Sequence, residues 1–186
     1  FYDVIWRVYH ALMSVGSALV ITLSPFIARV LMQRQFYSAW PLISILVLAF
    51  YLSAINNFLG TIYQAYMRTK PLLVATVVGA VACLAFTAVL VHDWGISAAA
   101  FGVFVGSLVI FVIRVIDVRR LMTINMRPIP TAITMTLLTV QSLVTSNQCS
   151  HYLFWSSICL LLIAFVQCYE LKPLITLIFT RRKYTA

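Results

Sequence analysis

The sequence predicts an all-α protein, a polytopic transmembrane helix bundle of about six helices. Two observations carry that prediction. Apolar residues fill 63% of the 186 positions and charged residues only 9%, against roughly 45–50% and about 25% in a soluble domain. The apolar residues also fall into six separate runs, at about 10–31, 41–63, 71–91, 95–115, 129–145 and 152–168. No soluble fold could cover this much apolar surface, so lipid is the solvent for most of the chain.

The first four runs hold 21 to 23 residues each. About 20 residues of helix cross the hydrocarbon core at 1.5 Å per residue. The last two runs are shorter and sit near the lower limit. A spanning strand would need only about 9–11 residues with strict alternation. These runs are apolar on all sides, which suits a helix that satisfies its own backbone. Pro41 and Pro71 open the second and third runs, and Pro128 and Pro130 open the fifth, where a missing N–H costs little. Pro25 interrupts the first run; it frees the Ile21 carbonyl and predicts a kink. The link His92-Asp93-Trp94 before Gly95 is so short that the helices on either side must be antiparallel neighbours. Small residues are dense in the third run, at Gly79, Ala82, Cys83 and Ala85, and form a ridge of Ala98, Gly102 and Gly106 in the fourth, a pattern that lets backbones approach closely in lipid and supports tight packing of the two.

The net charge of +9 would suggest a nucleic-acid partner on a soluble protein. Here the basic residues sit in short links between apolar runs, so no nucleic acid is expected and membrane lipids are the partner surface. Eleven of the 13 basic residues share one face: Arg7, Arg68, Lys70, Arg114, Arg119, Arg120, Arg127, Lys172, Arg181, Arg182 and Lys183. The other face holds Arg29 and Arg34. Positive charge marks the cytoplasmic side, so both termini are predicted there, which requires an even number of spans. Residues 171–180 are too short to span and contain Pro173. The chain therefore divides into a transmembrane helical domain, 1–170, and an interfacial basic tail, 171–186, held by Arg181-Arg182-Lys183. It begins at Phe1 with no secretory pattern, and reads as a fragment or processed product.

Catalytic constellations are sparse. The four acidic residues, Asp3, Asp93, Asp117 and Glu170, lie at links or run ends. There is no HExxH, no Ser–His–Asp set on plausible helix faces and no phosphate-binding glycine loop, so neither enzymatic activity nor a cofactor is expected. Cys83, Cys159 and Cys168 lie in or beside apolar runs, with Cys149 between the last two; without CxxC spacing they read as small apolar residues. His92, Asp93 and His151 share a face but read as solvated link residues rather than metal ligands.

Polar groups at membrane depth are costly and mark function. Asn56 and Asn57 lie near the middle of the second run. Adjacent helical positions point about 100° apart, so at least one faces protein or a watery cavity. Helix–helix hydrogen bonding and lumen lining both fit. Arg29 lies one turn past Pro25, where it either snorkels to the headgroups or meets an anionic substrate. Arg7 and Arg34, at opposite ends of the first run, are weaker candidates of the same kind. Arg114, Asp117 and Arg120 fall at i, i+3 and i+6 and predict a solvated salt-bridge stripe.

The run Gln64-Ala65-Tyr66-Met67-Arg68-Thr69-Lys70 closes one helix on a basic turn, and His92-Asp93-Trp94-Gly95-Ile96-Ser97-Ala98-Ala99-Ala100 opens another on Gly-Ile and small residues. With Ala54-Ile55-Asn56-Asn57 before them, these segments resemble the short-loop hairpin of polysaccharide (O-antigen-type) flippases. Those belong to the multidrug/oligosaccharidyl-lipid/polysaccharide exporter superfamily. The resemblance covers most of residues 8–118, with Ser97 where the family more often has Gly; the last two runs resemble the terminal pair of longer members. It implies the C-terminal part of a two-lobed transporter whose N-terminal lobe is missing here. It also implies a bacterial inner membrane and alternating access for a lipid-linked oligosaccharide carried on a pyrophosphate, met by a cationic lumen. The alternatives are an integral membrane enzyme of polysaccharide assembly, a polymerase or acyltransferase, and a non-catalytic scaffold. An enzyme calls for a long outer loop or clustered His, Asp and Arg, and the short outer links weigh against it.

Overall fold

A computed structural model describes residues 2–31, 40–121, 128–146 and 152–184. They form six α-helices and no strand: α1 (Tyr2–Leu31), α2 (Trp40–Ala65), α3 (Thr69–Trp94), α4 (Ile96–Leu121), α5 (Pro128–Ser146) and α6 (Tyr152–Tyr184). The protein is an all-α bundle, as the sequence predicts. α1 to α4 are long and apolar enough to cross a membrane, whereas α6 holds a shorter apolar stretch at Leu153–Tyr169. α5, 19 residues long, is rich in Thr and Ser.

The helices outrun the apolar runs at their charged ends. α1 begins at Tyr2 instead of residue 10, and α4 ends at Leu121 instead of 115. α6 continues past 168, through Pro173, to Tyr184. The reason is that hydropathy marks where lipid ends, while Arg, Lys and Glu are good helix formers that let the coil of backbone bonds continue. α1 likewise continues through Pro25. The Ser24 hydroxyl donates to the Ile21 carbonyl at 2.8 Å, filling the acceptor that the proline leaves without its N–H.

α2 is the hub. More than half of its spanning window is buried, 56%, against 11% for α3. Ile55, Leu59, Ile62 and Tyr63 of α2 have no exposed surface and pack with Ile21 of α1, Val118 of α4, Leu138 of α5 and Ile163 of α6 in one core. α1 lies antiparallel to α2: Trp6 lies tilted against Phe58, and His10 meets Tyr51 edge-on. α4 lies parallel to α2, since Asn56 meets Ser107 and Tyr63 meets Arg114, both pairs 51 residues apart. α5 and α6 pair with each other and return to α1.

α3 touches mainly α4, and the small-residue ridge explains how. A Cβ placed on Gly106 would stand 2.8 Å from the Cys83 Cβ and 2.9 Å from the Gly79 carbonyl oxygen. The backbones are in direct contact along this seam, where dispersion replaces the hydrophobic drive that lipid does not supply. The outer face of α3, with Leu73, Val77, Val81, Leu84 and Val89 exposed, is apolar as a lipid-facing surface must be.

Two turns join these helices. Gly95, at φ 54° and ψ −129°, closes α3 on a conformation that a Cβ would strain. After α2, Arg68 N–H donates to the Tyr63 carbonyl at 2.9 Å and Met67 N–H to the Gln64 carbonyl at 3.1 Å. This is a Schellman closure with Met67 at φ 53° where glycine is usual.

Two stability measurements check this account. Gly106→Val forces the α3–α4 seam apart and costs about 1–3 kcal/mol, read as a lower melting temperature of the detergent-solubilised chain. Met67→Gly removes the left-handed strain of a side chain that is 89% exposed and raises stability by about 1 kcal/mol; an unchanged or lower melting temperature contradicts the strain.

Candidate functional site

Three polar clusters lie inside the bundle. The first is built around Arg114. Because α4 runs on to Leu121, this residue stands well inside the helix, 7% exposed, among Phe111, Val115 and Val118. One terminal guanidinium nitrogen donates to the Asn56 main-chain carbonyl of α2. The other donates to the Thr76 hydroxyl of α3 at 3.0 Å. Thr76 passes its own proton to the Leu72 carbonyl at 2.9 Å. The Asn56 amide donates to the Ser107 carbonyl at 2.9 Å, and the Tyr63 hydroxyl donates to the Arg114 carbonyl at 3.4 Å. Arg114 Nε and Asn56 Oδ1 are buried without a hydrogen-bond partner. Among the described residues no carboxylate pairs with this guanidinium.

The second cluster joins α1, α5 and α6 through Gln141. Its amide nitrogen lies 3.0 Å from the Ala18 carbonyl, 3.0 Å from the Thr22 hydroxyl and 3.1 Å from the Ser156 hydroxyl. A carbonyl can only accept, so the nitrogen and not the oxygen must face Ala18. Thr22 and Ser156 also meet at 3.0 Å.

The third joins α1, α2, α5 and α6 through His10. The Gln167 amide nitrogen stands 3.2 Å from His10 Nδ1 and 3.2 Å from the Thr134 hydroxyl. Thr134 spends its proton on the Pro130 carbonyl at 2.8 Å, so it accepts from Gln167. The second amide hydrogen then falls to Nδ1, which must be the acceptor. That places the imidazole proton on Nε2, 3.0 Å from the Tyr51 hydroxyl. A neutral imidazole of one tautomer satisfies every contact.

The residues singled out from the sequence do not converge. Asn56 is buried at 4% exposure and belongs to the Arg114 cluster, while Asn57 is exposed. Arg7, in the first turns of α1, is half-buried, with its Nε shielded and unbonded. Arg29 is exposed in the last turn of α1, roughly 33 Å along the helix from Arg7 at 1.5 Å per residue. Arg34 lies outside the described residues, as do Cys149 and His151. The expected stripe of Arg114, Asp117 and Arg120 is corrected: Arg114 turns inward, Asp117 is half-buried and only Arg120 is exposed. The three positions share one flank of α4, but α4 packs on both α2 and α3, so that flank is turned partly into protein. Without Arg114 the basic residues of the sequence divide ten against two, so the bias in the sequence stands.

His10, Gln141, Ser156 and Gln167 were not singled out at all. One signal could have found them: a lone histidine, amide or hydroxyl with apolar residues on both sides, at a depth where water is absent. No three metal-ligating side chains gather among the described residues; His92 and Asp93 sit 3.9 Å apart on the open α3–α4 turn, 95% and 79% exposed.

Because Gln141 and Ser156 share one network, their substitutions should not add. Gln141→Leu is expected to cost about 0.6–1.7 kcal/mol, the range for interhelical bonds in lipid, and the double variant with Ser156→Ala should cost less than the sum of the two, measured by reversible unfolding in mixed micelles. Comparison with family models, with curated proteins and with solved structures finds no match to this chain.

Proposed function

We propose that this chain is one lobe of a membrane transporter that flips a lipid-linked oligosaccharide across the bacterial inner membrane, for lipopolysaccharide O-antigen or other surface polysaccharide synthesis. The observation that carries the reading is Arg114: a guanidinium 7% exposed in an apolar bundle with no carboxylate paired to it among the described residues. A fixed, unneutralised cation at membrane depth favours an anionic cargo, and a lipid diphosphate is the anion that the family resemblance implies. Arg7 and Arg29, near opposite ends of α1, suit the two stages of alternating access, one cation for each side. In this reading a second lobe completes the cavity, Asn57 and Arg34 line it, and no step is enzymatic. The end of the bundle that carries Arg7, Lys70, Arg119 and Arg120 faces the cytoplasm, together with both termini.

Disruption of the gene tests this. Surface polysaccharide should disappear while lipid-linked repeat units accumulate in the inner leaflet; normal surface polysaccharide in the null strain removes the reading. In the complete protein, Arg114→Ala should lower export at least about tenfold at equal protein level, the factor set by one charge-assisted hydrogen bond, and Arg114→Lys should recover part of it.

A further inference from the structure

α4 and α5 both pack on α2, yet the two make no close backbone contact with each other among the described residues. The gap is a cleft of about 180 Å³, with apolar walls from Trp6, Phe111, Val115, Ala132 and Met135, with Thr131 beside them and with Arg119 as its cation. Three helix ends meet there: the start of α1, the end of α4 and the start of α5. Arg119 is exposed and Trp6 is buried at 4%, so the cleft runs from a charged mouth to an apolar floor.

The size and chemistry of the cleft select its occupant. A helix about 10 Å across cannot enter so small a space. Apart from Thr131 and Arg119 the lining is Trp, Phe, Val, Ala and Met, so most of the wall offers water no partner and favours an apolar occupant. A thread of methylene groups fits both limits, and in a bilayer acyl chains are the neighbours at hand. Charge then selects the headgroup. No carboxylate lines the cleft. The half-buried Asp117 lines a different groove on α4, shared with Lys70 and Arg120 against α3, so it does not neutralise Arg119 at the α5 side.

We propose that the α4–α5 cleft holds one anionic glycerophospholipid, with its phosphate at Arg119 and one acyl chain against Trp6, Phe111 and Met135. The lipid fills the space that α4 and α5 leave between them and ties the two halves of the bundle together at their basic end. Arginine suits this place because its fork grips a phosphate with two donors while its stem lies on apolar surface. The proposal stands on the cleft alone and does not depend on the transporter reading.

The full chain carrying Trp40→Phe, Trp94→Phe and Trp155→Phe keeps Trp6 as its one tryptophan, excited selectively at the red edge. It is reconstituted into phosphatidylcholine vesicles that contain graded amounts of either brominated phosphatidylglycerol or brominated phosphatidylcholine, bromine quenching tryptophan on contact. Trp6 should be half-quenched at about fivefold less brominated phosphatidylglycerol, the preference expected of one arginine at an anionic surface. Arg119→Gln should bring the two curves together, and Arg120→Gln, the same charge change on the other flank of α4, should leave them apart. Native mass spectrometry of the parent chain gives a readout that needs no tryptophan substitution: one retained phosphatidylglycerol, absent from Arg119→Gln. Equal quenching by the two lipids, no quenching of Trp6, or a preference that survives Arg119→Gln overturns the proposal. So does an equal loss in Arg120→Gln, which would show only diffuse attraction.

Discussion

A charged guanidinium inside an apolar bundle has to find its acceptors in protein, because lipid supplies none. Arg114 finds them on two helices at once, the Asn56 carbonyl on α2 and the Thr76 hydroxyl on α3. That crossing fixes the α3–α4 hairpin against the hub. α3 has little else to hold it there, since its contacts with α2 are few and its outer face is open. The glycine seam binds α3 to α4, but a seam of that kind allows the hairpin to slide as a unit on α2. The directional bonds of Arg114, together with the Asn56 amide on the Ser107 carbonyl, set the register.

The other half of the bundle solves the same problem without charge. α1, α5 and α6 are joined by amides and hydroxyls, with Gln141 and Gln167 at the centres. α5 keeps many of its hydroxyls occupied on its own backbone, as Thr136 with the Ile133 carbonyl and Thr139 with the Thr136 carbonyl, both at 2.8 Å. This explains why a helix so rich in Thr and Ser can sit beside apolar neighbours. Much of its polarity lies in hydroxyls already paired, with the buried Gln141 Oε1 as an exception, so its low hydropathy says little about its surroundings. The bundle thus has a neutral, amide-bridged side and a cationic, glycine-packed side, with α2 between them.

The helical fold was legible because six apolar runs, punctuated by proline and basic links, admit few other readings. The antiparallel α3–α4 pair was legible too, from a three-residue link and the spacing of Gly79, Gly102 and Gly106. What was not legible follows from one physical point. Reading ends from hydropathy stops a helix at its first charge, which placed His10 and Arg114 at boundaries when both stand well inside. A residue taken for a helix end is credited with water that it does not have. The amide centres were missed for a related reason: Gln141 and Gln167 matter through helices more than a hundred residues away, and local pattern carries no information about such partners. Asn56 was found because its depth could be read within a long uninterrupted run, but its partner on α4 could not.

The chain order of the His10 cluster has a consequence for biogenesis. His10 and Gln167 are 157 residues apart, and the Ala18 carbonyl waits 123 residues for the Gln141 amide. At ribosomal rates of about 5–20 residues per second, the earlier partner exists for roughly 6–30 s before the later one is made. During that interval the His10 Nδ1 and the Ala18 carbonyl lack their amide partners, although Tyr51 of α2 already serves Nε2. A nascent α1 of this kind is a poor substrate for release into lipid. It belongs in the shelter of the insertion machinery, or at its mouth, until α5 and α6 arrive to close around it.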